Sequence, residues 1–311
     1  MSTPAMLFPG QGSQRVGMGA DLCREFPVAR ETFAEADAAL GERLSTLCFE
    51  GPEDRLTLTE NAQPALLTTS IAVARVLEAE GGIVPGVAAG HSLGEWSALV
   101  AMGAIGFADA LRAVRARGRF MQEAVAPGVG AMSALLGADL ATVEALCAEA
   151  TSDGEVVVPA NVNGAGQIVV SGHAAAVARL EGLASGRKVR AMRLKVSAPF
   201  HSPLMEPARV RMAELLREVE VRAPRGVVFG NVDAQPYADA DGVRERLCAQ
   251  ITATVRWEDC AVGVAAATDR GIEAGPGRVL CGLLKRIAPD FRCVPTDDVA
   301  GVRAALEGVR R

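Results

Sequence analysis

The residues with the clearest chemical potential lie in Gly90-His91-Ser92-Leu93-Gly94. This G-x-S-x-G segment stands between the apolar run Val87-Ala88-Ala89 and a helix-forming stretch that begins near Glu95. In that context the pattern makes a sharp strand-to-helix turn that exposes the central hydroxyl. The flanking positions need glycine because larger side chains would collide across so tight a turn. The helix that follows aims its free N–H groups and positive dipole end at the same spot. The same spacing also suits a Gly-rich turn with a capping serine, so the motif needs a base before it carries chemistry.

That base is usually histidine, and the chain has only His91, His173 and His201. His91 directly precedes Ser92, and adjacent strand side chains point apart. It is placed to brace the turn, not to deprotonate the serine. His173, in Ser-Gly-His-Ala-Ala-Ala, reads as a surface or helix-capping residue. His201 sits in the proline-bounded loop Pro199-Phe-His-Ser-Pro203 and is the best of the three. Loops of this kind commonly line clefts. No clear acid stands near it, so a dyad is expected, with the imidazole held by a main-chain carbonyl that fixes its tautomer.

A helix expected over 107–124 carries Arg112, Arg115, Arg117 and Arg119. Its apolar stripe is Phe107, Ala110, Leu111, Val114, Gly118 and Met121, which leaves Arg112 and Arg119 to solvent. Arg117 falls on the border of the stripe. A guanidinium leaning toward the core needs a partner, because an unpaired buried charge costs several kcal/mol. A bound carboxylate, gripped by two parallel hydrogen bonds, meets that need. A protein carboxylate in a structural ion pair meets it equally well.

The elements that must position these groups follow from the pattern. Ala5 to Phe8 reads as a buried first strand, and Pro9-Gly10-Gln11-Gly12-Ser13-Gln14 follows it at the same expected sheet edge as Ser92. N–H groups of this loop are placed to oppose that of Leu93, giving two donors for a developing oxyanion. The loop begins like a dinucleotide fingerprint, but Arg15 stands where the third glycine belongs, and no phosphate-binding G-x-x-x-x-G-K-[ST] occurs. A helix is expected over about 60–80. From 130 the rhythm changes to strand, helix, two strands across an Asn-Gly-Ala-Gly turn, helix, and a strand over about 189–196. That order is the split βαβ pattern of a ferredoxin-like module. The expected organisation is an α/β-hydrolase-like large domain (1–127 and 198–311) with a ferredoxin-like inserted subdomain (128–197).

Composition narrows the function classes. The chain has 311 residues, half of them apolar, enough for a full core without metal or disulfides. A net charge of −5, spread along the chain, does not suggest nucleic-acid binding. No charged segment followed by a long apolar run marks a signal peptide, and no run is long enough to span a bilayer. The seven cysteines include no C-x-x-C, and their odd number argues against a disulfide framework. The expectation is a reduced, cytoplasmic, soluble monomer with no metal site and no membrane association.

Taken in order, FPGQGSQ (8–14), AQPALL (62–67), GHSLGE (90–95), RGRFMQ (117–122), NVNGAGQIVVSG (161–172), PFHS (199–202) and GPGRVLCGLLKR (275–286) make the chain resemble the malonyl-CoA:acyl carrier protein transacylases. The same family supplies acyltransferase domains of fatty acid and polyketide synthases. The match covers nearly the whole chain. The resemblance implies that malonyl-CoA acylates Ser92, that His201 serves as base and then acid, and that Arg117 holds the malonyl carboxylate. It implies an oxyanion hole from the N–H groups of Gln11 and Leu93, and a Gln250 main-chain carbonyl that holds the histidine ring. It sets His91, Asn163 and Phe200 around the acyl pocket, with Phe200 filling the space an α-methyl group would need. Trp96 and Thr254 depart from the family pattern, and Thr254 implies a differently shaped loop after Gln250. No cofactor is implied beyond the two substrates, malonyl-CoA and a holo-acyl carrier protein.

Acyl carrier proteins are acidic, so a basic docking face is expected. Arg187, Lys188, Arg190, Arg193 and Lys195, with Lys285 and Arg286, are the candidates; a solvated basic strand edge explains several of them as well. An acyl hydrolase or thioesterase built on the same Ser92–His201 dyad is the rival reading, and it gives Arg117 no task.

Overall fold

The computed structural model describes residues 3–152 and 154–310. Met1, Ser2, Asp153 and Arg311, which the expected domain ranges include, lie outside the described residues. The strands are β1 (Ala5–Phe8), β2 (Val87–Gly90), β3 (Gly130–Leu136), β4 (Val157–Gly164), β5 (Gln167–His173), β6 (Arg190–Arg193), β7 (Val227–Phe229), β8 (Arg270–Glu273) and β9 (Arg292–Pro295). They form two sheets: one ordered β7-β2-β1-β8-β9, the other β4-β5-β3-β6.

Every pairing in the first sheet is parallel, with Met6 opposite Ala88 and Ile272. Ala5, Met6, Leu7 and Phe8 are all buried, the continuous apolar run expected of a strand covered on both faces. Parallel strands bring their carboxyl ends to one edge, where α/β proteins hold their ligands. That edge carries the loop after Phe8, the turn after Gly90 and the segment after Phe229.

The helices that matter to the site are α1 (Thr59–Gly81), α2 (Leu93–Ala101), α3 (Phe107–Glu123), α4 (Leu140–Ala150), α5 (Ala174–Gly186), α6 (Ala240–Ala249), α7 (Trp257–Ala267) and α8 (Val279–Ile287). The stripe expected on α3 is buried as read: Phe107, Ala110, Leu111, Val114, Gly118 and Met121 all face the core. Gly118 lets α3 come close to α1, because a β-carbon there would stand 2.6 Å from Cα of Glu60.

The second sheet is antiparallel and packs α4 and α5 over its own apolar cluster, including Leu135, Leu146, Val170 and Leu180. Asp139 caps α4 by accepting from the N–H of Thr142 at 2.8 Å. β4 runs longer than its apolar run suggests. The hairpin closes on Ala165 (φ 52°) and Gly166 (φ 71°), a two-residue loop with both φ positive, so Asn161 to Gly164 still pair with β5. β6 is shorter than expected. Leu194 makes the last bond to β3, from its N–H to Met132 O at 3.0 Å, and the chain then turns away toward Pro199.

An isolated parallel bridge ties Asn161 of β4 to Val255, in the segment that follows α6. Thr254, just before it, donates its hydroxyl to Pro159 O at 2.7 Å, a tie that a proline at this position would lack. One expectation is overturned. Cys281 in α8 and Cys293 in β9 are joined as a disulfide, although their spacing of 12 forms no recognisable motif and the cysteine count is odd. Tertiary packing of α8 on β9 sets the two side chains together, a relation invisible in the linear sequence.

Candidate active site

Ser92 occupies the turn between β2 and α2 with φ 51° and ψ −101°. A non-glycine residue at such angles costs on the order of 1–3 kcal/mol and persists only where its surroundings hold it. Asn231, two residues beyond β7, supplies that hold. Its Oδ1 accepts from the N–H of Ser92 at 2.7 Å, and its Nδ2 donates to Gly90 O at 2.8 Å. The flanking glycines are obligatory on distance alone. A β-carbon at Gly90 would stand 1.9 Å from the carbonyl carbon of Gly94, and one at Gly94 would stand 2.0 Å from Phe8 O.

His201 comes from the loop that leads back from the second sheet, and it too has a positive φ, 57°. Its Nδ1 lies 2.8 Å from the main-chain carbonyl of Gln250, and its Nε2 lies 2.8 Å from Ser92 Oγ. A carbonyl can only accept, so Nδ1 carries the proton and Nε2 is left as the acceptor for the serine hydroxyl. Burial, reinforced by the positive charge of Arg117, lowers the His201 pKa to about 3. The ring is therefore neutral at physiological pH and ready to take a proton from Ser92.

Arg117 is more deeply placed than the border of a stripe suggests. It is 2% exposed, because α3 is covered on that side by α1 and by the segment around Gln250. Nη1 donates to Gln63 Oε1 at 2.8 Å, and Nη2 donates to Gln250 Oε1 at 2.8 Å and to Ser92 Oγ at 3.2 Å. No carboxylate lies within salt-bridge distance of it among the described residues, and its buried Nε has no partner. Burial lowers its pKa to about 10, so the guanidinium remains charged at neutral pH. Arg112 and Arg119 are exposed as expected, and Arg115 is paired with Glu42.

Behind these groups lies Glu95, fully buried in the first turn of α2. It accepts from Tyr237 Oη, from Gln250 Nε2, and from the N–H of Asn231 at 3.2 Å. Burial raises its pKa to about 7, against the pull of Tyr237, Asn231, Gln250 and Arg117. Sequence reasoning assigned no role to Glu95, Gln63, Asn231 or Tyr237. The available signals were a charge inside the apolar run 93–99, a lone amide in AQPALL, and an Asn just past a strand at the ligand edge.

A cavity of about 330 Å³ opens over Ser92 and His201. Its walls include Gln11, His91, Leu93, Arg117, Met121, Met132, Asn161, Leu194, Lys195 and Phe200. Leu93 is the first residue of α2, so its N–H has no acceptor within the helix. Gln11 lines the same cavity, with its side chain donating to Thr59 Oγ1 at 3.1 Å. Asn163 differs from expectation: it is Asn161 that faces the cavity, while Asn163 Oδ1 lies 2.8 Å from His91 Nε2 and holds that ring. The β4–β5 register shifts between Val162 and Gly164, the two residues that flank Asn163. His173 is bonded through Nδ1, which accepts from the N–H of Val156 at 3.0 Å.

Of the basic residues at 187–195, Lys195 lines the cavity, Arg187 is paired with Glu149, and Arg193 is paired with Glu181. Lys188, Arg190 and Lys285 are exposed and take part in no ion pair among the described residues.

The family model described as "Acyl transferase domain" matches residues 5–294. The malonyl CoA-acyl carrier protein transacylase of Escherichia coli K12 is 46% identical over 310 residues, 99% of this chain and 100% of that protein. The crystal structure of an acyl carrier protein S-malonyltransferase from Vibrio cholerae superposes with a TM-score of 0.95 at 43% identity, covering 98% of this chain and 100% of that one. A malonyl-transacylase solved in complex with its type II PKS acyl-carrier protein gives a TM-score of 0.95 at 42% identity, covering 99% and 100%. The chain therefore belongs to the acyl transferase domain family, among the malonyl CoA-acyl carrier protein transacylases.

Proposed function

We propose that this protein transfers a malonyl group from malonyl-CoA to the phosphopantetheine thiol of an acyl carrier protein through a Ser92 acyl-enzyme. The observation that carries the reading is a single constellation in one cavity: a serine 2.8 Å from a neutral histidine and 3.2 Å from a buried guanidinium that no carboxylate among the described residues directly pairs. Ser92 Oγ attacks the thioester carbonyl as its proton passes to His201 Nε2. The N–H groups of Gln11 and Leu93 receive the oxyanion; losing one such donor typically costs about 10²–10³ in rate. The C–S bond breaks, and CoA leaves with the proton from His201. The carrier-protein thiol then gives its proton to His201, attacks the Ser92 ester and restores the free serine.

Arg117 gives the acyl pocket its preference for a carboxylate. Phe200 packs at the pocket wall and disfavours an α-methyl substituent, a discrimination worth about 1–3 kcal/mol. The steps balance with two thioesters, a serine and a histidine, so we infer no cofactor. The separate sheet and apolar cluster of 128–197 support its reading as an inserted subdomain. Among the described residues no helix is long and apolar enough to cross a membrane.

Intact-mass measurement after incubation with malonyl-, acetyl- or methylmalonyl-CoA, with and without holo carrier protein, tests the proposal. A malonyl adduct on wild type but not on Ser92→Ala, passed on to the carrier protein, supports it. Free malonate with no transfer would instead establish the hydrolase.

A further inference from the structure

We infer that Glu95 is the positioning residue of the carboxylate-reading cation: through the side-chain amide of Gln250 it holds the Arg117 guanidinium aimed at Ser92. The inference rests on the reading of Arg117 as the acyl carboxylate's partner. A buried arginine needs a counter-charge, yet none stands within salt-bridge distance among the described residues. A protein carboxylate paired directly with Arg117 would occupy the very N–H groups that the substrate must use. In its ionised form, which prevails above about pH 7, Glu95 balances the charge without blocking it, because it lies one amide away.

The chain of contacts is continuous. Gln250 Nε2 donates to Glu95 Oε2, and Gln250 Oε1 accepts from Arg117 Nη2 at 2.8 Å. Placed between opposite charges, the amide has one favourable orientation; reversed, it would aim N–H groups at the guanidinium and its oxygen at the carboxylate. Every partner of Glu95 presents a donor: the Tyr237 hydroxyl, the Asn231 N–H and the Gln250 amide, an arrangement suited to an anion. The same Gln250 amide donates to Ser92 O at 3.0 Å, and the Asn231 that Glu95 anchors holds the N–H of Ser92. Glu95 thereby ties the reader and the nucleophile to one fixed point, while its own position in α2 is only three residues from Ser92.

Single-turnover acylation of Ser92 by malonyl-CoA and by acetyl-CoA, which lacks the carboxylate, separates positioning from general support. In Glu95→Gln the malonyl-to-acetyl rate ratio should fall about tenfold. In an Arg117→Ala background the same change should alter the ratio by no more than about twofold, since the group being positioned is gone. Gln250→Met, which cuts the bridge but keeps the main-chain carbonyl that holds His201, should lower the ratio like Glu95→Gln and serves if that variant fails to fold. Equal loss for both thioesters, or full additivity with Arg117→Ala, would overturn the inference. A wild type without preference for malonyl would instead overturn the reading of Arg117 itself.

Discussion

Nη2 of Arg117 lies 3.2 Å from Oγ of Ser92, so the cation we propose as the reader of the acyl chain touches the atom we propose as the nucleophile. On that reading, the distance from reacting carbon to carboxylate is restricted to that of a short diacid thioester. Arg117→Ala should lower kcat/KM for malonyl-CoA by about 10²–10³, the effect of truncating one member of a buried charge pair. Acetyl-CoA, which makes no such pair, should lose far less. Steady-state kinetics on both thioesters decide it, and a parallel loss for the two would remove Arg117 from substrate recognition.

The turn around Ser92 tolerates no β-carbon on either side. Gly90→Ala and Gly94→Ala each force an atom to within about 2 Å of main chain, so both should destabilise the fold by more than about 3 kcal/mol. Denaturant unfolding measures this. A variant of normal stability would show that the turn relaxes more readily than its contacts suggest.

His201 makes stability depend on pH with a definite sign. Its pKa is about 3 in the folded protein and 6.5 as the ordinary value, so the unfolded chain binds the proton first on acidification. The stability it contributes is complete above pH 6.5 and falls toward pH 3, with a limiting slope of about 1.4 kcal/mol per pH unit. Glu95, raised from 4.5 to about 7, contributes the opposite slope between those values. Comparing unfolding of wild type and His201→Ala across this range isolates the histidine. The difference between them should shrink as pH falls, and a constant difference would contradict a buried neutral ring.

Lys188 and Arg190 are exposed and free of ion pairs among the described residues, unlike Arg187 and Arg193. Reversing both charges, Lys188→Glu with Arg190→Glu, should raise KM for an acidic carrier protein several-fold while leaving KM for malonyl-CoA unchanged. The effect should weaken as salt screens the approach. Equal shifts for both substrates would remove these residues from docking.

The Cys281–Cys293 pair ties α8 to β9. Alkylation of the unfolded, unreduced protein should label five thiols, rising to seven after reduction. Closing a loop of this size is worth about 3 kcal/mol in the chain-entropy model, so Cys293→Ser should lower stability only under oxidising conditions. Seven labelled thiols without reductant would show that the pair stands reduced.

Much of the site follows from local sequence. The Ser92 turn is legible because its geometry is set within five residues by two glycines, a preceding apolar strand and a following helix. The α3 stripe is legible because burial on one helix face repeats every three or four residues. His201 could be reached by elimination because the chain holds only three histidines. The contacts that make these groups work together span long separations and belong to the tertiary structure alone. Arg117 meets Gln63 across 54 residues and Gln250 across 133, and Glu95 meets Gln250 across 155. No periodicity links positions so far apart; they meet because parallel strands bring their carboxyl ends to one edge and α3 packs beside it. The exchange of Asn161 for Asn163 at the cavity accompanies a register shift in β4 that depends on its partner strand. The residue types capable of the chemistry were therefore determined by the sequence. Which of them share a buried charge network was decided only when the helices and the sheet edge packed together.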